Sequence, residues 1–535
     1  MQVLDPQNAP TLLVDEFTLL CEILASGVLQ QPAWFASRLV SLWFGHGSVT
    51  GSIFSKFRIP LATSTCLLPF FYQIAGRLGT PDVNKFVIEC ATRHPQVCLP
   101  PILQLRMGAK GCVGGRAEAE RAKHAELVVE KLLISGTAKD TLLCMQAAFK
   151  FYLNLAMTKV TAPQTVSSTR TGGVKSVAEI SGFSDFAKLI PAGHAFVLTA
   201  TTCTLQSIDP EYAIAESGKS LPKILKLVDT AGKVHRQIVK GNDDLRNDAV
   251  LQQLFALLKV RSYKVVPISA GAGIAEWVSG TVTVGSYLVG YPNEAAGAHV
   301  RCHPTDLEPA QVKAKMVHAR QQSRGAVDSL QTTYANVCKK FQPCMHFFFY
   351  ENFFTPKTYF QAQTAYANSV AATSVVGFVV GLGDRHPNNI LLDLTSGEVI
   401  HIDYGICFDA GRFLKVPEIV PFRLTRDMVA GLGVLGTQGP FAKACEDVLV
   451  SLKKNSALVI AVVEVFVVDP LFNWAVASLG SDNAQAALLG VKRKLQGFLD
   501  DALPLTPSAQ VDRLIRSATD PRNLCQMFAG WQPWV

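Results

Sequence analysis

Two short stretches in the last third of the chain decide its fold: residues 381–389, GLGDRHPNN, and residues 401–405, HIDYG. His401 follows Asn389 by twelve positions, and β-branched residues dominate the run before Asp403. A lone Asp followed five positions later by Asn is common on protein surfaces, and so is a lone His-x-Asp. Their combination, with strand residues between them and a glycine after the second aspartate, indicates a functional site.

The side chains of these stretches are those that phosphoryl transfer requires: a group that orients the attacking hydroxyl, and ligands for a metal that bridges phosphates. Asp384 is the candidate that accepts the proton of the hydroxyl. Asn389 and Asp403 are candidate metal ligands, because Mg²⁺ prefers hard oxygen donors and retains several waters. Arg385 is expected to brace the loop, whereas His401 can equally be a functional or a packed core histidine.

The order Asp-Arg-His-x-x-Asn followed by His-x-Asp resembles the catalytic and metal-binding loops of the phosphatidylinositol-3-kinase superfamily, in which Asp precedes His. The resemblance implies that Asp384 is the catalytic aspartate and that His386 stabilises the transferred phosphate or assists proton movement. It also implies that ATP is the phosphate donor and that Asn389 and Asp403 bind Mg²⁺ or Mn²⁺.

An ATP-binding lobe is expected upstream, where residues 240–248, KGNDDLRND, resemble the KGxxDLRxD segment of the related kinases. Lys240 ends an apolar strand and is expected to reach the phosphates. Kinases hold such a lysine with a carboxylate from a nearby helix. Asp248, at the start of a helical run, is the first candidate for that partner and Asp243 is the second.

Two further segments resemble nucleotide-binding elements of the superfamily. Ser217 and Lys219 lie where these kinases place the loop that covers the phosphates, although no Gly-x-Gly-x-x-Gly is present. Trp277 and Val278 resemble the hinge between lobes. Trp277 would stack on adenine and the Val278 backbone would hydrogen-bond it; the alternative is that Trp277 is a core residue.

The C-terminal residues 518–535, ATDPRNLCQMFAGWQPWV, resemble the FATC domain that closes the phosphatidylinositol-3-kinase-related protein kinases and that lipid kinases lack. The candidate activation segment has only Arg412 and Lys415 as basic residues before Pro417. Lipid kinases generally have a more basic cluster there. Both features favour Ser or Thr of proteins as the substrate.

The expected fold is α+β: a bilobal PI3K/PI4K-like kinase with a β-rich N-lobe and a helical C-lobe, preceded by a helical FAT remnant and followed by a FATC tail. Helical spacing of apolar residues in the first part and short β-rich runs near 195–201, 224–228, 234–239 and 263–268 support it. The predicted domains are the end of FAT (1–160), a linker (161–180), the N-lobe (181–280), the C-lobe (281–503) and FATC (504–535).

Composition indicates the compartment in which the protein acts and argues against some kinds of binding and membrane insertion. The chain has 535 residues, of which 49% are hydrophobic and 17% charged, and its net charge of +8 is too mild to indicate sequence-specific DNA binding. Its 13 cysteines include no Cys-x-x-Cys pair, which predicts a reducing compartment. The most apolar stretch, 457–468, contains Glu464 and is too short to span a membrane. Acidic residues near the start argue against a signal peptide.

Within the family, residues 223–254, 263–290 and 463–474 most resemble the ataxia-telangiectasia-mutated subfamily, with the ATR-type subfamily as a near alternative. That resemblance implies a nuclear DNA-damage checkpoint kinase for Ser/Thr-Gln sites, a homodimer, and recruitment by a DNA-break sensor complex. It also implies a long helical array upstream, so that the chain is expected to be a fragment or a truncated product. A lipid kinase and an inactive pseudokinase scaffold are the alternatives from other classes.

Overall fold

A computed structural model describes residues 9–26, 32–46, 50, 61–107, 116–136, 138–159, 171–200, 203–215, 221–290, 295–323, 326–467, 482–499 and 503–535. The chain forms two compact units. The first comprises Met1–Leu257, Tyr263–Trp277 and Ala457–Asn473, and the second comprises Leu258–Ser262, Val278–Ser456 and Trp474–Val535. One of the divisions between them falls between Trp277 and Val278, within the predicted hinge segment.

Helices open the first unit, as the apolar spacing predicts. In the helix Lys139–Met157, Leu142, Met145, Phe149 and Tyr152 recur three or four positions apart and all are buried. The helices are α1 (Ala9–Ser26), α2 (Pro32–Gly45), α3 (Leu61–Leu67), α4 (Phe71–Ala75), α5 (Pro81–Arg93), α6 (Pro95–Met107), α7 (Arg116–Ser135), α8 (Lys139–Met157), α9 (Phe183–Leu189) and α10 (Arg246–Leu257).

The described part of this unit also contains a six-stranded antiparallel sheet, with the strand order β1-β2-β3-β4-β6-β5. Its strands are β1 (Thr171–Ser176), β2 (Leu205–Ala215), β3 (Lys223–Asp229), β4 (Val234–Gly241), β5 (Val265–Ser269) and β6 (Ala272–Glu276). The runs predicted near 224–228, 234–239 and 263–268 are therefore confirmed as strands. The apolar core against the sheet includes Leu245, Val265 and Ala275.

Strand β1 takes up residues 171–176 of the segment 161–180 that is predicted to link the domains; residues 161–170 lie outside the described part. One strand prediction in this region is wrong. A strand is predicted at 195–201, but the described residues 195–200 form a turn: Ala200 N donates to Val197 O at 2.9 Å, and among these residues only Phe196 forms a bridge, with Thr204. Ala195 and Val197 are buried there, and burial of apolar residues in a turn produces the same composition as burial in a strand.

Helix α8 is fixed to the sheet by buried polar bonds. Tyr152 Oη donates to Gln237 Oε1 at 2.6 Å, and Lys223 Nζ donates to the carbonyl oxygen of Ala156 at 2.8 Å. Gly241 ends β4 so close to this helix that a Cβ would lie 2.2 Å from Ala156 O, which only glycine avoids. Strand β4 and α8 therefore pack as one body.

The second unit is mainly helical, with a small antiparallel sheet in the order β7-β8-β9. These strands are β7 (Thr281–Thr283), β8 (Ile390–Asp393) and β9 (Val399–His401). Its first helices are α11 (Val284–Leu288), α12 (Ala298–Cys302), α13 (Pro309–Gln322), α14 (Val327–Cys338), α15 (Met345–Asn352), α16 (Pro356–Val379), α17 (Arg426–Gly431) and α18 (Pro440–Lys454).

Helix α19 (Ser456–Val467) belongs to the first unit except for its first residue. The chain then returns to the second unit for α20 (Asp482–Gln496), α21 (Pro507–Thr519) and α22 (Pro521–Leu524). The predicted stripe of Val511, Leu514, Ile515 and Ala518 on α21 is buried. The α+β fold class is thus confirmed. No helix in the described ranges combines the length and apolarity that a bilayer crossing needs.

Candidate active site

Helix α16 leads directly into the Asp-Arg-His motif. Thr355 caps its N-terminus by accepting a hydrogen bond from Thr358 N at 3.2 Å, and Pro356 occupies the first turn, where proline is favoured. After the helix, Gly381 has φ +63°, and a Cβ there would lie 2.3 Å from Asp409 N. Glycine is therefore required where the chain turns into the motif.

The structure brings the two sequence motifs together. We name residues 380–389 the DRH loop and residues 401–409 the HID loop. Four backbone hydrogen bonds of 2.8–3.0 Å join them: Ile402 N to Asn389 O, Gly383 N to Ile406 O, Phe408 N to Val380 O, and Asp409 N to Gly381 O. The motifs, twelve positions apart in sequence, are consequently neighbours along paired backbone segments.

Asp384 is held at its backbone rather than at its carboxylate. Its N–H donates to both carboxylate oxygens of Glu418, at 2.9 and 3.0 Å, and its carbonyl oxygen accepts a bond from Asn389 Nδ2 at 2.8 Å. Asp384 and Asp403 have φ values of +53° and +60°, the left-handed region that non-glycine residues rarely adopt. Such strain concentrates at functional sites.

Burial sets the protonation of the DRH loop. It raises the pKa of Asp384; nearby His386 and Arg385 oppose this rise, and Asp403 adds to it. Burial also lowers the pKa of His386, an effect that Asp384 opposes. His386 is therefore neutral near neutral pH, and Asp384 is a stronger base than an ordinary aspartate.

Asn389 and Asp403 offer the oxygen donors that Mg²⁺ prefers. Asn389 is 5% exposed, and because its Nδ2 is bonded to Asp384 O, its Oδ1 is the atom left to act as a ligand. Asp403 has an exposed side chain next to the same loop. An amide oxygen and a carboxylate fit Mg²⁺ or Mn²⁺, with waters and phosphates completing the shell.

Arg385 and His401 have structural surroundings. The guanidinium of Arg385 donates to the carbonyl oxygens of Gly383 (2.7 Å), Ile402 (2.8 Å) and Asp403, so it braces the two loops, as predicted. His401 is 7% exposed, and its Nδ1 has no hydrogen-bond partner. Burial, with a smaller effect of Arg385, lowers its pKa to about 3, so it is a neutral packed residue.

The predicted nucleotide residues of the first unit lie at strand and helix ends. Lys240 is the second-last residue of β4. Its Nζ lies 3.3 Å from Oδ2 of Asp243, the second candidate for its carboxylate partner. Asp248 is 5% exposed in the first turn of α10. Trp277 follows β6 and its side chain is half-buried. Its backbone N–H donates to Arg236 O at 3.0 Å.

Three other predicted residues complete the set. Val278 begins the next segment of the second unit, where its carbonyl oxygen accepts a bond from Thr281 Oγ1 at 2.7 Å. Ser217 and Lys219 lie outside the described residues. Trp277 is not enclosed in the described core, which agrees with a role other than core packing.

Sequence reasoning missed Glu418 and Arg423. Glu418 holds the Asp384 backbone, and burial raises its pKa. Arg423 is 2% exposed and donates to the carbonyl oxygens of Arg385 (3.2 Å) and Trp531 (2.7 Å). Burial lowers the pKa of Arg423 to about 9, although Asp427 opposes the shift. In the sequence, Glu418 and Arg423 could have been noticed as charged residues within the otherwise apolar segment 416–425, VPEIVPFRLT.

Sequence reasoning also missed an ion pair between a buried lysine and a half-buried aspartate at the end of the HID loop. Lys494 of α20 is 7% exposed and donates to both carboxylate oxygens of Asp409, at 2.9 and 2.7 Å. Asp409 has φ +61° and is already bonded through its N–H to Gly381 O. Lys494 thus fixes the point where the HID loop leaves the DRH loop.

Family profiles agree with these loops. The profile of the family described as phosphatidylinositol 3- and 4-kinase matches residues 236–476, which include both loops, and the FATC domain profile matches residues 504–535. The two domains occur in the predicted order along the chain. The chain belongs to the phosphatidylinositol-3-kinase-related protein kinase family.

Relatives within the family narrow the subfamily. The chain is 33% identical to the serine-protein kinase ATM of Sus scrofa and 34% identical to the serine/threonine-protein kinase tel1 of Neurospora crassa, with 93% and 94% of the chain aligned. It covers 19% of the length of each. The solved FAT and kinase domain of CtTel1 superposes with a TM-score of 0.86 at 28% identity, over 99% of this chain and 38% of that one. The predicted likeness to the ataxia-telangiectasia-mutated subfamily is confirmed.

Proposed function

We propose that this chain transfers the γ-phosphate of ATP to Ser or Thr of protein substrates, at sites followed by Gln, in DNA-damage checkpoint signalling. The observation that carries the proposal is the pairing of the DRH and HID loops. It places Asp384, Asn389 and Asp403 on adjacent backbone segments. Relatives of similar sequence are named serine/threonine-protein kinases, which supports a protein substrate.

Asp384 acts as the base for the attacking hydroxyl. Its raised pKa brings it nearer to the pKa of an effective base, and such proton transfer typically contributes about 10²–10⁴-fold to the rate. Neutral His386 has one N–H with which to hydrogen-bond an oxygen of the transferred phosphate. Glu418 and Arg385 act indirectly, by holding the backbone that carries Asp384.

Asn389 and Asp403 would hold Mg²⁺ or Mn²⁺, which neutralises phosphate charge when it is bound. Lys240 is assigned to the phosphates, with Asp243 at 3.3 Å or Asp248 as its carboxylate partner. Trp277, Val278, Ser217 and Lys219 are assigned to the nucleotide on the family resemblance alone. The chemistry of these side chains fits an anionic, aromatic ligand such as ATP.

The wider assignments follow the subfamily. Residues 1–160 are proposed as the end of FAT, 161–180 as the connection, 181–280 and 281–503 as the two kinase lobes, and 504–535 as FATC. A solved complete CtTel1 dimer with C2 symmetry, matched with a TM-score of 0.86 at 28% identity, supports a homodimer. A nuclear location and recruitment by a DNA-break sensor complex are proposed on the same likeness.

The test is transfer of labelled γ-phosphate by the 535-residue chain to a Ser-Gln peptide, with a Ser-Ala peptide and phosphatidylinositol as competing acceptors. Mg²⁺ and Mn²⁺ are compared. Asp403→Ala serves as the blank, and Asp447→Ala, at a side chain 61% exposed on α18, serves as the matched control.

Labelling of the Ser-Gln peptide that survives in Asp447→Ala and disappears in Asp403→Ala would support the proposal. Transfer to phosphatidylinositol would show a lipid kinase instead. Equal labelling of both peptides would remove the Gln preference. Failure to transfer phosphate, with ATP still bound, would indicate the scaffold alternative.

A further inference from the structure

A cluster of metal-ligating side chains lies in the first unit, on residues that the proposed phosphate transfer does not use. One ligand atom from each of Cys203, Asp229 and His235 lies within 4.8 Å of the other two. Among the described residues, a group of three or more His, Cys, Asp or Glu side chains at such a spacing is found here. We propose that these three residues form a Zn²⁺ site that joins the start of β2 to the β3–β4 hairpin.

Backbone hydrogen bonds preorganise the carboxylate. Asp229 ends β3, and its Oδ1 accepts bonds from Ala231 N and Lys233 N, both at 2.9 Å, across the hairpin turn. Its Oδ2 lies 2.7 Å from His235 Nε2. Ligating carboxylates in metal sites are commonly oriented by hydrogen bonds of this kind. Asp229 therefore already presents one oxygen toward the cluster while the other is fixed.

The other two ligands are held by the sheet. His235 lies in β4 opposite Leu227, and its side chain is 13% exposed. Cys203 is half-buried and precedes β2, where Thr204 O accepts a bond from Thr230 N at 3.0 Å. The entry to β2 is thus fixed against the hairpin turn, so all three ligands come from segments whose backbones are already ordered.

The donor set selects zinc. Thiolate, imidazole and carboxylate are zinc ligands, whereas Mg²⁺ and Ca²⁺ prefer oxygen alone. Bonds of about 2.0–2.3 Å in a tetrahedral site place ligand atoms roughly 3.3–3.8 Å apart. The Asp229–His235 pair, now at 2.7 Å, would open slightly while the Cys203 sulfur closes in. Three protein ligands leave the fourth position to water.

Binding of the metal ion changes the protonation of its ligands. Binding releases the Cys203 thiol proton to solvent, and His235 binds the metal through Nε2 with its proton on Nδ1. The bound ion replaces the His235–Asp229 hydrogen bond. Affinity therefore rises with pH.

The experiment titrates Co²⁺, as a spectroscopic substitute for Zn²⁺, into the chelator-treated 535-residue chain. We expect a thiolate-to-cobalt charge-transfer band that saturates near one equivalent per chain and disappears on addition of Zn²⁺. His235→Gln should weaken binding by at least about tenfold, the usual effect of losing a ligand or its support. Cys203→Ala should abolish the band, whereas Cys66→Ala, at another half-buried cysteine, should retain it.

Folding is controlled separately. The melting temperature of Cys203→Ala without metal should match that of the parent chain, and Zn²⁺ should raise the melting temperature of the parent but not of the variant. If Cys203→Ala folds poorly, Cys203→Ser removes the sulfur band while retaining a polar atom. A parent chain without the band, or a band that persists in the folded Cys203 variant, would overturn the proposal.

Discussion

Among individual side chains, Asp384 is the one whose chemistry depends most directly on its own ionisation. We expect Asp384→Asn to lower kcat by about 10²–10⁴-fold, the usual contribution of a positioned base, with little change in KM for ATP. Asparagine keeps the backbone N–H that Glu418 accepts and tolerates a positive φ. Steady-state phosphate transfer measures both constants. Asp447→Asn is the control, and a parent-like kcat for Asp384→Asn would contradict the base assignment.

The same substitution is expected to stabilise the fold at neutral pH. Burial raises the pKa of Asp384, so the folded chain binds this proton more tightly than the unfolded chain. The resulting stability is fully present below the unfolded pKa, about 3.9, and is lost as pH rises through the higher folded pKa. Asp384→Asn should therefore melt at a higher temperature at pH 7, and the gain should vanish in acid. A lower melting temperature at pH 7 would contradict the role of burial.

Glu418 tests whether the Asp384 backbone must be held. Glu418→Ala removes the acceptor of both bonds from Asp384 N and leaves that N–H without its partner. We expect kcat to fall about 10–100-fold, because a misplacement of about 1 Å can cost a factor of 10². Glu418→Gln, which keeps one acceptor oxygen, should recover part of kcat. Glu446→Ala on α18 is the control, and equal losses in Glu418→Ala and Glu418→Gln would refute the positioning role.

Among the helices and strands, local pattern predicted those elements whose side chains repeat regularly. Strands β3 and β4 and helix α8 are confirmed on that basis. Strand β1 was missed because Gly172 and Gly173 carry no apolar period; Thr171 and Val174 still pair with β2, and the register shifts across the two glycines. The segment 195–201 misled because buried apolar residues also occur in turns.

In the candidate site too, some residues could be predicted from local sequence and others could not. Asp384, Asn389 and Asp403 were predictable because short motifs place them, and the pairing of the two loops explains why the motifs occur together. Glu418 and Lys494 were not, because each acts through a partner 34 or 85 positions away in the chain. A charged residue in an apolar segment can mark Glu418 itself, but a single sequence carries no local signal for the distant partner that it contacts.

Helix α20 tests one of these distant contacts. Lys494→Met leaves the Asp409 carboxylate without its buried cation, and we expect a loss of about 1–3 kcal/mol, less than for a fully buried pair because Asp409 is 34% exposed. Asp409→Asn in the same chain should restore part of it, which a double-mutant cycle measures. Lys443→Met, at a solvent-exposed pair, should leave the stability nearly unchanged. Equal effects of Lys494→Met and Lys443→Met would argue against the anchor.

Across the full chain, the longest-range support of the candidate site comes from its C-terminal residues. Arg423 bonds the DRH loop at Arg385 O and also donates to the carbonyl oxygens of Trp531 (2.7 Å), Gln532 (3.0 Å) and Val535. Its guanidinium lies 4.4 Å from the centre of the Trp531 ring. One buried cation therefore joins the DRH loop to acceptors that lie 108 to 112 positions after Arg423 in the chain, and the FATC segment provides most of its acceptors.

Deletion of residues 531–535 is expected to leave Arg423 buried without these acceptors, which costs about 3–5 kcal/mol for a charge of this kind. Calorimetry should show a lower melting transition, and kcat should fall because Arg385 O loses a positioned donor. Arg423→Met within the shortened chain removes the unpaired charge, so it should recover the part of the melting temperature that this charge cost. The part lost with the buried side chains of Trp531, Trp534 and Val535 should not return, and neither should kcat. If the shortened chain instead retains parent-like kcat and melting, or if Arg423→Met lowers its stability further, then Arg423 does not connect the C-terminal residues to the DRH loop.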